Sequence, residues 1–275
     1  MTTRKQKWWI GAVFAAVVVL VAAGFAWFAG DDDGEPNTTA PATAPTTAPA
    51  ASPSNNGRSG FADPVTDLLG RKVMIPNNPA GEVLPQQDPA ARIGCDPVRG
   101  VPSPESVMIQ RNFDSPHLFS TSDGPTRIDG DLLRGYTRTP QGAALAGWNT
   151  WERLQVGGET ARRVLADQVV MTDEQRTKVD EVPTLGGPEL RQSARQAAMA
   201  PEAFRVLSCD AEYVSVEYAV AKMGDENGPY LNRQWLGYRF TMLWRGGDWK
   251  LQPAGSTLAP APYLSLGEGW TTWAV

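Results

Sequence analysis

The chain has one histidine, two cysteines and no strongly basic stretch, and each shortage removes a class of function. A structural zinc site takes four cysteine or histidine ligands, more than His117, Cys95 and Cys209 can supply. A serine or cysteine nucleophile with an imidazole base would have to rest on His117 alone. No phosphate-binding G-x-x-x-x-G-K-[ST], no G-x-S-x-G elbow and no H-E-x-x-H helix occurs. The net charge of −5 disfavours a partner built on phosphates. No catalytic residue, cofactor or metal ligand is therefore assigned, and the expectation is a protein that is not an enzyme.

What is present is unevenly distributed. Residues 8–29 are free of charge and rich in Ala and Val. At 1.5 Å rise per residue, about 20 such residues cross the roughly 30 Å hydrocarbon core of a bilayer. Trp8, Trp9 and Trp27 stand at the two ends, where an indole keeps its ring in the interface and its N–H in water. Arg4, Lys5 and Lys7 precede the segment, and Asp31, Asp32, Asp33 and Glu35 follow it. This polarity predicts a cytoplasmic tail 1–7, a single transmembrane helix 8–29 and everything later outside. A cleaved signal peptide has a shorter apolar region followed by small residues. Here the run ends on Phe25, Trp27 and Phe28, and no Cys stands near its end to carry a lipid.

Residues 30–56 read as a linker. Pro41, Pro45, Pro49 and Pro53 recur every fourth residue among Thr, Ala and Ser. Such a segment buries too little apolar surface to offset chain entropy and favours extended polyproline II. It is either a bare spacer or an O-glycosylated stalk. Without Arg4, Lys5 and Lys7 the remainder carries 22 Lys and Arg against 30 Asp and Glu, an acidic exterior. Cys95 and Cys209 both fall outside, where disulfides persist, and are expected to be bonded to each other.

Residues 57–112 are Pro-rich and weakly periodic, and read as an extended arm held at Cys95. Residues 113–275 then form an α+β domain. Thr139-Pro140 is an N-cap followed by proline at the first helical position. Ala144, Trp148 and Trp151 follow at i, i+4 and i+7, and Gly157-Gly158 ends the helix. Further helices are expected at about 159–170 and 173–182, and from Pro188 to about Ala200. The period then becomes two: Val214, Val216, Tyr218 and Val220 mark one strand, and Leu236, Tyr238, Phe240, Met242 and Trp244 a second. With strands near Phe204–Ser208 and Trp249–Leu251, this predicts an antiparallel meander on which the helices pack.

The stretch "LWRGGDWKL" (243–251) after such helices resembles the end of a cystatin-like, nuclear-transport-factor-type roll. The stretches "FSTSDGPTRIDGDLLRGYTRTPQGAALA" (119–146) and "LSLGEGWTTW" (264–273) resemble an uncharacterised family of actinobacterial single-pass membrane proteins, often carried on conjugative elements. An anchor plus exported roll is similar in plan to the inner-membrane scaffold proteins of type IV secretion systems. The resemblance implies a membrane-anchored, extracytoplasmic scaffold in a conjugative transfer apparatus. Its expected partners are other membrane or envelope proteins, including further copies of itself, with no nucleic acid. The alternatives are an accessory subunit of an envelope lipid-transport system, and a roll that holds or transforms a small ligand.

Several residues remain as site candidates. His117, beside Pro116, reads as a loop histidine rather than a base. Asp123, Asp129 and Asp131 lack the spacing of a calcium loop and read as turn formers. Trp148, Trp151, Tyr218, Tyr238, Trp244 and Trp249 are either core or the lining of a cavity. Glu217 and Arg239 either pair across the sheet or face a partner. Trp270 and Trp273 are either packed into the body or offered as a partner contact.

Overall fold

The helix that Thr139-Pro140 opens is α1, Pro140–Val156, and it lies at the centre of the molecule. Thr139 has extended φ and ψ, and its Oγ1 accepts from the Gly142 amide at 3.0 Å, the N-cap its sequence implied. The computed structural model describes residues 59–87, 95, 97, 100–177, 188–225, 228–253 and 260–275. The expected membrane span 8–29 and linker 30–56 lie outside these residues. Among the described residues no helix is long and apolar enough to cross a membrane.

One apolar stripe was expected on α1, yet every residue from Gln141 to Leu154 is buried. A helix covered all round needs a layer on each side, and the stretch read as an extended arm supplies one of them. It contains β1 (Phe61–Thr66), β2 (Lys72–Pro76) and β3 (Met108–Asn112), which join β4 (Ser115–Phe119) in a sheet of order β1-β2-β3-β4. The β2–β3 pair is parallel, and the β1–β2 and β3–β4 pairs are antiparallel. A small hairpin follows, β5 (Arg127–Asp129) with β6 (Leu132–Arg134).

Beyond α1 come α2 (Gly158–Gln168), α3 (Asp173–Thr177) and α4 (Pro188–Ala197). The expected meander then forms from β7 (Ala203–Cys209), β8 (Tyr213–Asp225), β9 (Gly228–Arg245) and β10 (Asp248–Gln252). Two short C-terminal strands complete this antiparallel sheet: β11 (Ala261–Tyr263) on β9 and β12 (Thr271–Thr272) on β7. The architecture is α+β with mostly antiparallel pairing.

The two sheets hold α1 by different chemistry. Against the meander the contact is aromatic: Trp148 meets Tyr218 at 5.7 Å, and Trp151 meets Phe240 at 5.5 Å between ring centroids. Gly147 permits this approach, since a Cβ there would stand 2.5 Å from the Tyr218 hydroxyl. Against β4 the contact is polar. Asn149 Oδ1 accepts from the Leu118 amide at 2.9 Å, and its Nδ2 donates to the Leu118 carbonyl at 2.8 Å. The Trp148 indole N–H donates to the Pro116 carbonyl at 2.9 Å. These side chains occupy the outer edge of β4 as a neighbouring strand would.

Cys95 and Cys209 form the disulfide, 114 residues apart, and join the segment before β3 to the end of β7. The tail closes the same side. Trp273 is buried and stacks on Phe204 at 4.4 Å. The Val107 amide donates to the Ala274 carbonyl at 3.0 Å, and the Ala274 amide to Ser103 Oγ at 2.9 Å.

Candidate functional site

α1 carries Trp148, Trp151, Glu152 and Gln155 on one face, the i, i+3, i+4, i+7 spacing of neighbours on a helix surface. That face borders a cleft of about 50 Å³, closed on other sides by Ala194, Arg195, Ala198 and Met199 of α4 and its C-terminal extension. Val220 of β8 and Tyr238 of β9 form its floor. The helix lays down a gradient: indole rings at 148 and 151, then a carboxyl at 152 and an amide at 155.

Glu152 is buried, and its carboxyl oxygen accepts from Ser115 Oγ. Burial pushes its pKa up to about 8, against the opposing pull of the Ser115 hydroxyl and the Arg195 guanidinium. At neutral pH the carboxyl is therefore mostly protonated. Burial, helped by the proximity of Glu152, pushes the Tyr238 hydroxyl up to about 12. Arg195 Nε donates to the Phe113 carbonyl at 2.9 Å, and its Nη1 to the Gln155 carbonyl at 3.4 Å. It thus ties α4 to α1 and to the tight β3–β4 turn, where Phe113 and Asp114 both take positive φ. The Gln155 amide nitrogen is buried without a protein acceptor.

A second polar group lies beside the cleft. His117 is a fully buried strand residue on β4, not the loop histidine expected from its proline neighbour. Pro116 is accommodated because β4 is the edge strand of its sheet, where a missing N–H breaks no ladder bond. The His117 Nδ1 pairs with the Ser115 carbonyl at 2.9 Å. Burial and then the Arg153 charge hold its pKa well below the ordinary imidazole value. Arg153 is itself fully buried; it donates to the Ala80 carbonyl and lies over the Phe113 ring at 4.8 Å. Burial lowers its pKa to about 10, with Tyr136 and Asp131 opposing.

This group does not form a nucleophile, base and orienter in series. The Ser115 hydroxyl goes to Glu152, and His117 takes the Ser115 main-chain carbonyl instead.

Of the aromatic candidates, Trp148, Trp151 and Tyr238 line the cleft. Tyr218 is core, its hydroxyl donating to the Ala144 carbonyl at 2.7 Å. Trp244 and Trp249 pack edge to face at 5.3 Å, with Arg138 over Trp244 and the Trp249 indole N–H on the Thr137 carbonyl. Glu217 is buried and pairs across the sheet with Arg205 at 2.6 Å and Arg239 at 3.5 Å. Arg205 also lies over Trp270 at 4.6 Å and over Tyr263 at 5.2 Å. Of the two C-terminal tryptophans, Trp273 offers no surface and Trp270 is half-buried on this arginine.

Asp123 accepts from Thr137 and Thr139 and steadies the start of α1, whereas Asp129 and Asp131 flank the β5–β6 turn. Among the described residues no group of three or more His, Cys, Asp or Glu could hold a metal ion. Sequence reasoning named Trp148, Trp151 and Tyr238 but missed Glu152, Gln155 and Arg195. The signal for the first two was their position on the same helical face as the indoles.

No curated protein and no solved structure matches the chain. A family model matches residues 74–272, from within β2 to the end of β12, and so takes in α1, the meander and the cleft between them. By that match the chain belongs to the family described as a domain of unknown function, DUF8175.

Proposed function

We propose that the protein is a membrane-anchored extracytoplasmic scaffold, a non-enzymatic assembly component whose head binds other envelope proteins in a conjugative, type IV secretion-like apparatus. The observation that carries the reading is the Cys95–Cys209 disulfide, which suits an oxidising compartment and so the exterior side of the expected span 8–29. In this reading α1 and the meander form a cystatin-like roll, with the N-terminus cytoplasmic. The shape of the β8–β9 hairpin supports protein binding. Its ladder runs out to Asp225 and Gly228, beyond the β7 pairing that ends at Ala219 and the β11 pairing that begins at Trp235. Leu231 is fully exposed on this two-stranded extension and Met223 partly so.

The test is crosslinking of the tagged full-length protein in its native membrane, followed by mass spectrometry. Recovery of a transfer ATPase or channel subunits supports the scaffold reading. Recovery of lipid-transport subunits replaces it with the accessory-subunit alternative.

A further inference from the structure

We propose that the cleft between α1, α4 and the β8–β9 sheet is a binding site for a small monocarboxylic acid with a short alkyl chain. The inference stands apart from the scaffold reading and rests on the chemistry of the walls. Trp148, Trp151, Val220 and Met199 offer apolar surface, and the polar groups stand together at the far end of the α1 face. Those groups are richer in donors than in acceptors. Gln155 brings an amide nitrogen that meets no protein acceptor, and Arg195, whose Nε and Nη1 serve the Phe113 and Gln155 carbonyls, adds positive charge beside it. Glu152, whose oxygen already accepts from Ser115, holds a proton at neutral pH. A ligand suited to this end must accept hydrogen bonds and carry negative charge, which describes a carboxylate. An amine would meet Arg195 and surplus donors.

Size restricts the other half of the ligand. About 50 Å³ holds a few waters or a short chain, and is smaller than the roughly 150 Å³ cavity that encloses a benzene ring. A long lipid tail would have to lie largely outside it.

Protonation should be linked to binding. Glu152 faces Ser115 of β4, Arg195 of α4 and Tyr238 of β9. A bound carboxylate beside it would favour the protonated acid, so affinity falls once the pH exceeds about 8. Glu152→Gln keeps a neutral donor and should retain binding above that pH.

The experiment is a saturation-transfer NMR titration of the full-length protein with acetate, butyrate, octanoate and butylamine at pH 7 and pH 9. Butyrate is expected to bind saturably and more tightly than acetate, with no further gain for octanoate and no binding of butylamine. Gln155→Leu keeps the apolar bulk and should weaken butyrate about ten- to a hundredfold by removing one charge-assisted hydrogen bond. Ala198→Phe should fill the cleft and abolish binding, with near-ultraviolet circular dichroism checking the fold. If Ala198→Phe fails to fold, the Gln155→Leu titration decides alone. No saturable butyrate binding, equal binding of butylamine, affinity that climbs steadily with chain length, or an unaffected Gln155→Leu variant would each overturn the site.

Discussion

Glu152 shows how much a single residue's surroundings decide. In the sequence it is one of 30 acidic residues, with nothing to distinguish it from a solvated surface charge. In the fold it lies buried beside Ser115, where burial raises its pKa to about 8. The unfolded chain would release this proton near pH 4.5, the folded chain only near pH 8. The unfolded state is therefore the better acid across that window, and stability contributed by the protonated carboxyl is lost as the pH rises through it. Glu152→Gln removes the titration. The variant should match the wild type near pH 4 and gain on it steadily up to pH 8, reaching a difference of about 4–5 kcal/mol. Urea unfolding at a series of pH values checks this, and a difference independent of pH would refute it. The same blindness covered His117: Ser-Pro-His reads as a loop until β4 is known to be an edge strand, where the proline fits. For Trp273 the sequence showed a large aromatic near a chain end but not which side it faced. Its stacking on Phe204 predicts that Trp273→Ala costs about 3–5 kcal/mol, measurable by thermal or chemical unfolding.

Elements were legible to the degree that their own periodicity decides them. The start of α1 was readable because Thr139 and Pro140 act locally, and the meander because Val214 to Val220 and Leu236 to Trp244 alternate over long runs. The sheet β1–β4 was not. Its strands hold five or six residues with no shared alternation, and β2 meets β3 in parallel although residues 77–107 separate them in the chain. Such a pairing is set by long-range packing rather than by neighbouring residues. The same cause hid the second buried face of α1. Gln141, Asn149, Thr150 and Arg153 look like its solvated side, yet all four are buried, Asn149 against β4 and Arg153 on the Ala80 carbonyl. Asn149 is the test. Asn149→Leu keeps the volume but leaves the Leu118 N–H and C=O buried without partners, and also takes a bond from the Tyr136 hydroxyl. Each stranded backbone group costs about 1–3 kcal/mol, so the loss should reach about 2–5 kcal/mol. Hydrogen exchange should report it as faster exchange of the Leu118 amide than of the meander amides; a loss below 1 kcal/mol with that amide still protected would show that the β4 edge does not depend on this side chain.

At the scale of the molecule, the layers around α1 come from distant parts of the chain, and specific links join them. The C-terminal strand and Trp273 tie the meander to residues 101–107, and Cys95–Cys209 ties the segment before β3 to the end of β7. A single pair of cysteines made the pairing legible, although what it joined depended on strands the sequence did not reveal. A link across 114 residues removes a large part of the unfolded chain's freedom, about 4–5 kcal/mol in the chain-entropy account, and less if residual structure persists. Replacing both cysteines by serine should lower unfolding stability by roughly that amount while leaving the fold intact, because Cys95 is exposed and Cys209 is only partly buried at the edge of the core. A reductant should bring the wild type down towards the variant and leave the variant unmoved. Loosening should begin where the link acts, between the chain near Cys95 and the end of β7. Hydrogen exchange of the Val206–Ser208 amides should therefore accelerate more than that of the β9–β10 ladder on the far side of the sheet. Uniform acceleration over both regions would mean that the bond stabilises only through the unfolded chain.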